Sequence, residues 1–289
     1  MNTTELISSL KIQGSFPTSN DLFSDSDFLV LFNHQMQVEI TPMMLKVNEE
    51  FFLQHKDYDI TQGGLYRIPT RSIGTVIRDL KVLDASGNEQ PLSRLFEEDR
   101  GSGASGYYLN RNSVELSTDF SSGTLRMKIF ARPGKLVLTT ACAQVTDIVG
   151  NTVTVSSLPD TMATDTLVDF IQNTNPYDLL DYDVAIASAA GTTLTFNSVP
   201  SGLAEGDWIC LATESPVPMV PEEMHPVLVQ SALCKTLSSK KDKAYKEELE
   251  TLLRVKEDAI NMLDPRVQNN SNKVRSGKLL GYFSRGRFR

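Results

Sequence analysis

The chain has 289 residues, 40% of them apolar and 22% charged, and a net charge of −8. This is ordinary composition for a water-soluble globular protein, and the length suits two compact units or one elaborated one. No apolar run approaches the roughly 20 residues of a bilayer-spanning helix, and Met1-Asn2-Thr3-Thr4-Glu5 lacks the basic and apolar regions of a signal peptide, so folding in a cytoplasm with no membrane partner is expected.

The N-terminal part reads as helices. Thr4 to Leu10 predicts a short helix capped by Thr3 or Thr4 and broken by Gly14 and Pro17. Ser24 is placed to cap a second helix, with Asp25 and Asp27 in the first turn, where the helix dipole favours acids. Thr41-Pro42 breaks it, and Pro42 can open a third helix with Met44, Leu45, Val47, Phe51 and Phe52 on its apolar side. From Tyr58 the pattern turns to strands: Leu65 to Pro69, Ile73 to Leu83, Tyr107 to Leu109, Val114 to Leu116 and the alternating Leu125 to Phe130. Pro91 to Glu98 reads as one or two helical turns.

The middle of the chain repeats itself. Gly150-Asn-Thr-Val-Thr-Val-Ser-Ser-Leu-Pro159 returns as Gly191-Thr-Thr-Leu-Thr-Phe-Asn-Ser-Val-Pro200, at an offset of 41 residues. Without a gap, Met162 then matches Leu203, Leu167 matches Trp208 and Phe170 matches Leu211. Each copy reads as a turn, a strand rich in Thr and β-branched residues, a Pro turn and a second strand. Two such units are expected to close into a small barrel or sandwich. After the repeat, Pro221 opens a helix running to about Ser238, Ser239 to Asp242 break it, and Lys243 to Leu263 predicts a long amphipathic helix ended by Asp264-Pro265.

Charge is partitioned. Pro265 to Arg289 holds seven bases and no acid, so the other 264 residues carry 21 bases against 36 acids, a net of −15. The tail has too little apolar surface to fold alone, which suggests an interaction arm on an acidic body. Its arginines and Tyr282, Phe283 and Phe288 suit either nucleic acid or a protein groove. The acidic body would repel phosphates, which favours a protein partner.

Chemistry-bearing patterns are few. Cys142, Cys210 and Cys234 are dispersed, without a CxxC pair, and read as buried free thiols rather than a disulfide framework or zinc site. His34 and His55 fall in or near predicted helices without a ligand-spaced partner, and His225 with Glu222 and Glu223 lacks HExxH spacing. Asp25-Ser-Asp27 and Asp181-Tyr-Asp183 lack the rest of a calcium loop, and Gly101 to Gly106 lacks the Lys-Ser/Thr of a phosphate loop. No cofactor, metal or catalytic residue is expected.

Several segments resemble the head-to-tail adaptor (connector, head-completion) proteins of tailed bacteriophages. They are Glu5-Leu6-Ile7 with Phe16-Pro17 and Phe28-Leu29, Tyr66 to Gly74 with Arg78-Asp79-Leu80, Pro221 to Leu228, and the helix from Lys243. The resemblance implies an α+β fold: a helical bundle of N- and C-terminal helices with strands between, a duplicated β domain inserted, and an extended arm. The corresponding division is an adaptor core over 1–142, the insertion over 143–215, helices completing the core over 216–264 and a docking arm over 265–289.

It further implies a structural virion protein of the neck, made in the host cytoplasm. Such proteins form a ring, commonly of twelve copies, that docks on the portal protein and receives a nozzle or tail-tube protein, while DNA passes through the lumen without sequence-specific binding. Carried onto this chain, the portal-docking residues are Arg275, Lys278, Leu279, Tyr282, Phe283, Arg285, Arg287, Phe288 and Arg289. The competing expectations are a tail-associated cell-wall hydrolase and a receptor-binding or decoration protein built on the duplicated domain.

Overall fold

The structure is a computed structural model and describes residues 1–16, 23–61, 64–84, 86–99, 103–117, 120 and 122–263. Its first helices form where side chains satisfy the free N–H groups of the opening turn. Glu5 N–H donates to Asn2 at 2.9 Å and Asn2 N–H donates to Glu5 at 2.9 Å, so the cap of α1 (Thr3–Gln13) is Asn2 rather than a threonine. Ser24 and Asp27 make the same reciprocal box at α2 (Asp25–Gln35). Thr41-Pro42 does not stop the chain as expected. A π turn, Met36–Ile40, carries α2 into α3 (Thr41–Val47), with Thr41 N–H donating to Met36 O. Proline lacks an N–H and crowds the preceding turn; the wider π spiral leaves room for it and the helix continues.

Two sheets follow. Strands β1 (Leu53–Asp59), β2 (Leu65–Arg67), β3 (Ser72–Leu83), β4 (Glu89–Pro91), β5 (Tyr107–Asn110), β6 (Ser113–Leu116) and β7 (Thr124–Ala131) assemble as β1-β7-β3-β4 and β2-β6-β5. Leu125, Met127 and Ile129 of β7 point inward, and with Leu80, Tyr66 and Val114 they form one apolar cluster between the sheets. β1 is a polar edge strand, so its sequence carries no apolar alternation. It places His55 on a strand, three residues after a 3₁₀ turn, Glu49–Phe52. The expected helical turns over Pro91 to Glu98 reduce to a 3₁₀ turn, Glu97–Asp99, because Pro91 belongs to β4.

A parallel pair, β8 (Lys135–Leu136) and β15 (Glu214–Ser215), brackets the duplicated segment. Between them β9 (Ala143–Val149), β10 (Thr152–Val155), β11 (Leu167–Ile171), β12 (Leu179–Ala190), β13 (Thr193–Phe196) and β14 (Trp208–Leu211) form a closed barrel, ordered β10-β13-β12-β11-β14-β9. Each repeat therefore supplies three strands, not two, since β9 and β12 precede the shared glycine turns. Gly150 and Gly191 both hold φ at +62°, a backbone that side-chain-bearing residues rarely adopt.

The register shows a pseudo-two-fold axis. In β10–β13, Val153 faces its own repeat mate Leu194, and Thr152↔Thr195 maps onto Thr154↔Thr193. In β11–β14, Asp169 faces its mate Cys210. Both repeats even interrupt the ladder at matching places, beside Thr154/Val155 and between Ile186 and Ser188. Closure removes the free edges that either repeat alone would expose.

The chain ends in α4 (His225–Lys240) and α5 (Tyr245–Leu263). The proline in the first turn of α4 is Pro226. Pro221, expected there, instead precedes a 3₁₀ turn, Glu222–Met224. Lys241, in the left-handed region at φ 53°, ends α4. Leu6, Leu10, Phe28, Phe32, Ile40, Met44, Val227 and Leu228 bury into one cluster drawn from helices at both ends of the sequence. The architecture is thus α+β with a small six-stranded barrel.

Inside the barrel, the rings of Phe170 and Phe196 meet edge to face at 4.9 Å. Phe170→Ala leaves a large void in a small core, and we expect about 3–5 kcal/mol of destabilisation in urea unfolding.

Candidate docking surfaces

The barrel meets the rest of the chain through the outer face of β11 and β14. Val168, Phe170 and Ile209 fill its interior, while Ile171, Trp208 and Cys210 alternate outward. Tyr177, Leu179, Tyr182, Val217 and Met219 pack against that outer face. In the same junction lies a buried ion pair: the Arg71 side chain is 2% exposed and that of Asp169 is 0%. Arg71 Nη2 donates to Asp169 Oδ2 at 2.6 Å, and Asp183 Oδ1 stands 3.6 Å away. Backbone N–H groups of Thr213 and Asp183 also donate to Asp169, at 2.8 and 3.1 Å. Burial pushes the Asp169 carboxyl up, and Arg71 with these donors pulls it back. The Tyr182 ring lies 5.3 Å from the guanidinium carbon, and Arg71 Nε and Nη1 are buried without a hydrogen bond among the described residues.

The barrel also covers the outer edge of β1. Gln54 Nε2 donates to Leu179 O, and the Tyr182 hydroxyl donates to His55 O, both at 3.3 Å. Beside this edge, the Met1 ammonium donates to Tyr177 Oη at 3.0 Å and to His225 Nδ1 at 3.0 Å. Nδ1 therefore accepts, so Nε2 carries the ring proton and donates to Val220 O at 3.2 Å. Burial, and then the charge of the ammonium, push His225 down to about 4.

A second surface is the outer helix. α5 buries Leu252 and Ala259 and lays Tyr245, Leu249, Val255 and Leu263 partly on the helical cluster. Polar contacts fasten it. Gln230 Nε2 donates to Glu248 O and Oε2, at 3.0 and 2.7 Å, and Lys256 pairs with Glu39. The Ser231 hydroxyl sits between Glu39 and Gln35, 2.9 Å from Gln35 Oε1. Leu253 and Met262 remain exposed. The docking residues expected from Arg275 to Arg289 follow α5 and lie outside the described residues.

A third feature is an open cleft of about 780 Å³ between α2, the β8 segment and the first Pro turn of the barrel. Leu29, Val30, Leu136, Leu138 and Leu158 line it, and its charged residues are Lys135 and Asp160.

The remaining sequence candidates have local roles. Asp27 caps α2, and its hydrogen bonds with Ser24 hold its carboxyl below the usual range. Asp25 pairs with Lys11 at 2.6 Å, and Asp181 accepts from Tyr182 N at 2.8 Å. His34 is exposed on α2, and Glu222 and Glu223 stand in the 3₁₀ turn before α4. The three cysteines are buried free thiols. Gly103 to Gly106 belong to a loop whose first two residues, 101 and 102, lie outside the described residues. Among the described residues no group of three or more His, Cys, Asp or Glu is placed to hold a metal ion, and no helix is long and apolar enough to cross a membrane.

No family model matches the chain, and no curated protein matches it. Arg71, Asp169 and the Glu39–Lys256 pair escape motif reading because their partners are 98 and 217 residues away. Asp169 does leave one trace: it is an acid inside the apolar strand Leu-Val-Asp-Phe-Ile, where the repeat mate is a cysteine.

Asp169→Ala leaves the buried Arg71 charge only the longer contact to the partly exposed Asp183. We expect a loss of about 3–5 kcal/mol in denaturant unfolding, with Arg71→Met/Asp169→Leu recovering much of it. His225 gives a pH signature. Its folded pKa lies below the unfolded one, so its contribution is complete above pH 6.5 and drains away as pH falls toward about 4. That depression corresponds to about 3 kcal/mol. His225→Gln should flatten the acid limb of a stability–pH curve, read by thermal unfolding.

Proposed function

We propose that this chain is a structural virion protein of a tailed bacteriophage, a ring-forming adaptor of the neck rather than an enzyme. The observation that carries the reading is the continuation of α5. A helix fastened to the apolar core by Gln230–Glu248 and Lys256–Glu39 is followed, after Asp264, by a segment with seven bases and no acid. A rigid base with a cationic, aromatic-bearing extension suits an arm laid into an acidic groove of a partner, the portal protein, with Tyr282, Phe283 and Phe288 as anchors.

The helices α1 to α5 serve in this reading as the bundle that stands beside its neighbours, in twelve copies around a common channel. The far end of the ring receives the nozzle or tail-tube protein. A body with a net charge of −15 suits a conduit, because a negative lumen does not hold the phosphate backbone. The barrel, bracketed by the β8–β15 pair, is an appendage on this ring and leaves the helical core continuous without it.

Deleting 265–289 should abolish co-sedimentation with portal rings and leave the unfolding free energy of the isolated chain within about 0.5 kcal/mol of wild type, since the segment's sequence carries too little apolar surface to build a core. Portal association that survives the deletion would sink the docking assignment.

A further inference from the structure

The thiols of Cys142 and Cys210 serve no role in the reading above, and their placement is specific. β9 and β14 run antiparallel, with Gln144 opposite Trp208 and Ala143 opposite Ile209. The next step of that register sets Cys142 opposite Cys210. Cys142 continues the strand, with φ −118° and ψ 156°. Both side chains lie in the apolar junction cluster, at 2% and 0% exposure. Directly opposed residues of an antiparallel pair have Cα atoms about 4.5–5.5 Å apart, inside the roughly 4.4–6.8 Å span of disulfides. Their side chains share one face of the sheet, as a bond between them requires.

The repeat makes the pairing more pointed. At the 41-residue offset Cys142 corresponds to Asp183 and Cys210 to Asp169. One copy of this cross-strand site holds the two acids that face Arg71, and the other holds two thiols. Cys234 sits in α4, in the separate helical cluster.

We propose that Cys142 and Cys210 form a redox-active dithiol that closes into a cross-strand disulfide, tying the start of the barrel to its last strand. The oxidant is a small-molecule disulfide of the glutathione class. One cysteine thiolate attacks a glutathione sulfur and expels one glutathione thiolate. The second cysteine thiolate then attacks the protein sulfur of the mixed disulfide and expels the other. Two thiol protons leave, and two electrons pass to the oxidant, which departs as two reduced glutathiones. Burial pushes the Cys210 thiol up, which disfavours the attacking thiolate in the folded chain. Closure therefore belongs to the folding chain or to a junction that has opened.

The test refolds the full chain from denaturant in a glutathione redox buffer, blocks remaining thiols with a maleimide under denaturing conditions and counts them by mass. One of the three thiols should remain reactive, at Cys234. Peptide mapping of the wild-type chain should recover Cys142 joined to Cys210, and adding a reductant should lower the unfolding midpoint. Cys142→Ser and Cys210→Ser should each leave two reactive thiols. Three reactive thiols in the refolded wild type, stable glutathione adducts, or any bond that uses Cys234 would overturn the proposal. The mapping needs no variant, so a variant that fails to fold does not shield it. The chemistry is read on the isolated chain, so its outcome is separate from that of the portal-binding experiment.

Discussion

A guanidinium removed from water has to be met by negative charge, and Arg71 is met from the other side of the molecule. Arg71 immediately precedes β3, the strand whose Leu80 and Val82 anchor the sheet core, while Asp169 comes from the barrel. Neither charge is tolerable alone at their depth. The body and the barrel therefore have one relative placement in which both are satisfied. Thr213 and Asp183 then orient the carboxylate through their backbone N–H groups, which makes the residues after β14 and the irregular stretch within β12 part of the same arrangement. The hydrogen bonds from Gln54 and Tyr182 along β1 depend on that placement, as does the covering of an otherwise open sheet edge.

The helical layer solves a different problem with similar means. Apolar burial alone holds α5 weakly, because only Leu252 and Ala259 are fully enclosed. The contacts that fix its position are polar: Glu39 reaches it from the π turn, and Gln230 and Ser231 reach it from α4. A π turn shifts the helix face by a fraction of a turn, which brings Glu39 and Gln35 to the same side as Ser231. The distortion that lets Pro42 stay inside a helix thus also supplies the acid that receives Lys256.

Local features were legible in the sequence wherever local physics decided them. The Ser24 cap and the alternation of β7 follow from residues within a few positions, and the sequence pattern sets the break after α4 only two residues early, at Ser238 rather than Lys240. The duplication was legible too, because matching residues recur without a gap. What stayed hidden depends on distant partners. β1 carries no apolar alternation to mark it as a strand, and the strands β9 and β12 lie ahead of the obvious glycine turns. Pro42 looks like a stop unless the helix can widen. Pro221 looks like a helix start, yet the buried ring of His225, held by Val220 O and the Met1 ammonium, places the helix four residues later. The residues from Arg275 to Arg289 expected to dock on a partner belong to a segment whose reading rests on composition and resemblance alone.

The duplication shows most clearly where the two copies were free to stay alike. Interior positions remain apolar in both: Val153 and Leu194, Val145 and Ile186, Val168 and Ile209. On the outer face of β10 and β13, away from the junction, Thr152 matches Thr193 and Thr154 matches Thr195. The copies part company at the other end of the pseudo-two-fold axis, where Asp169 stands against Cys210 and Asp183 against Cys142. A symmetric barrel presents two equivalent half-sites to a body that has one arginine. Keeping acids in both would bury two further carboxylates without a cation; keeping thiols in both would leave Arg71 unpaired. Electrostatics at the junction therefore accounts for the break in symmetry at that pair of positions.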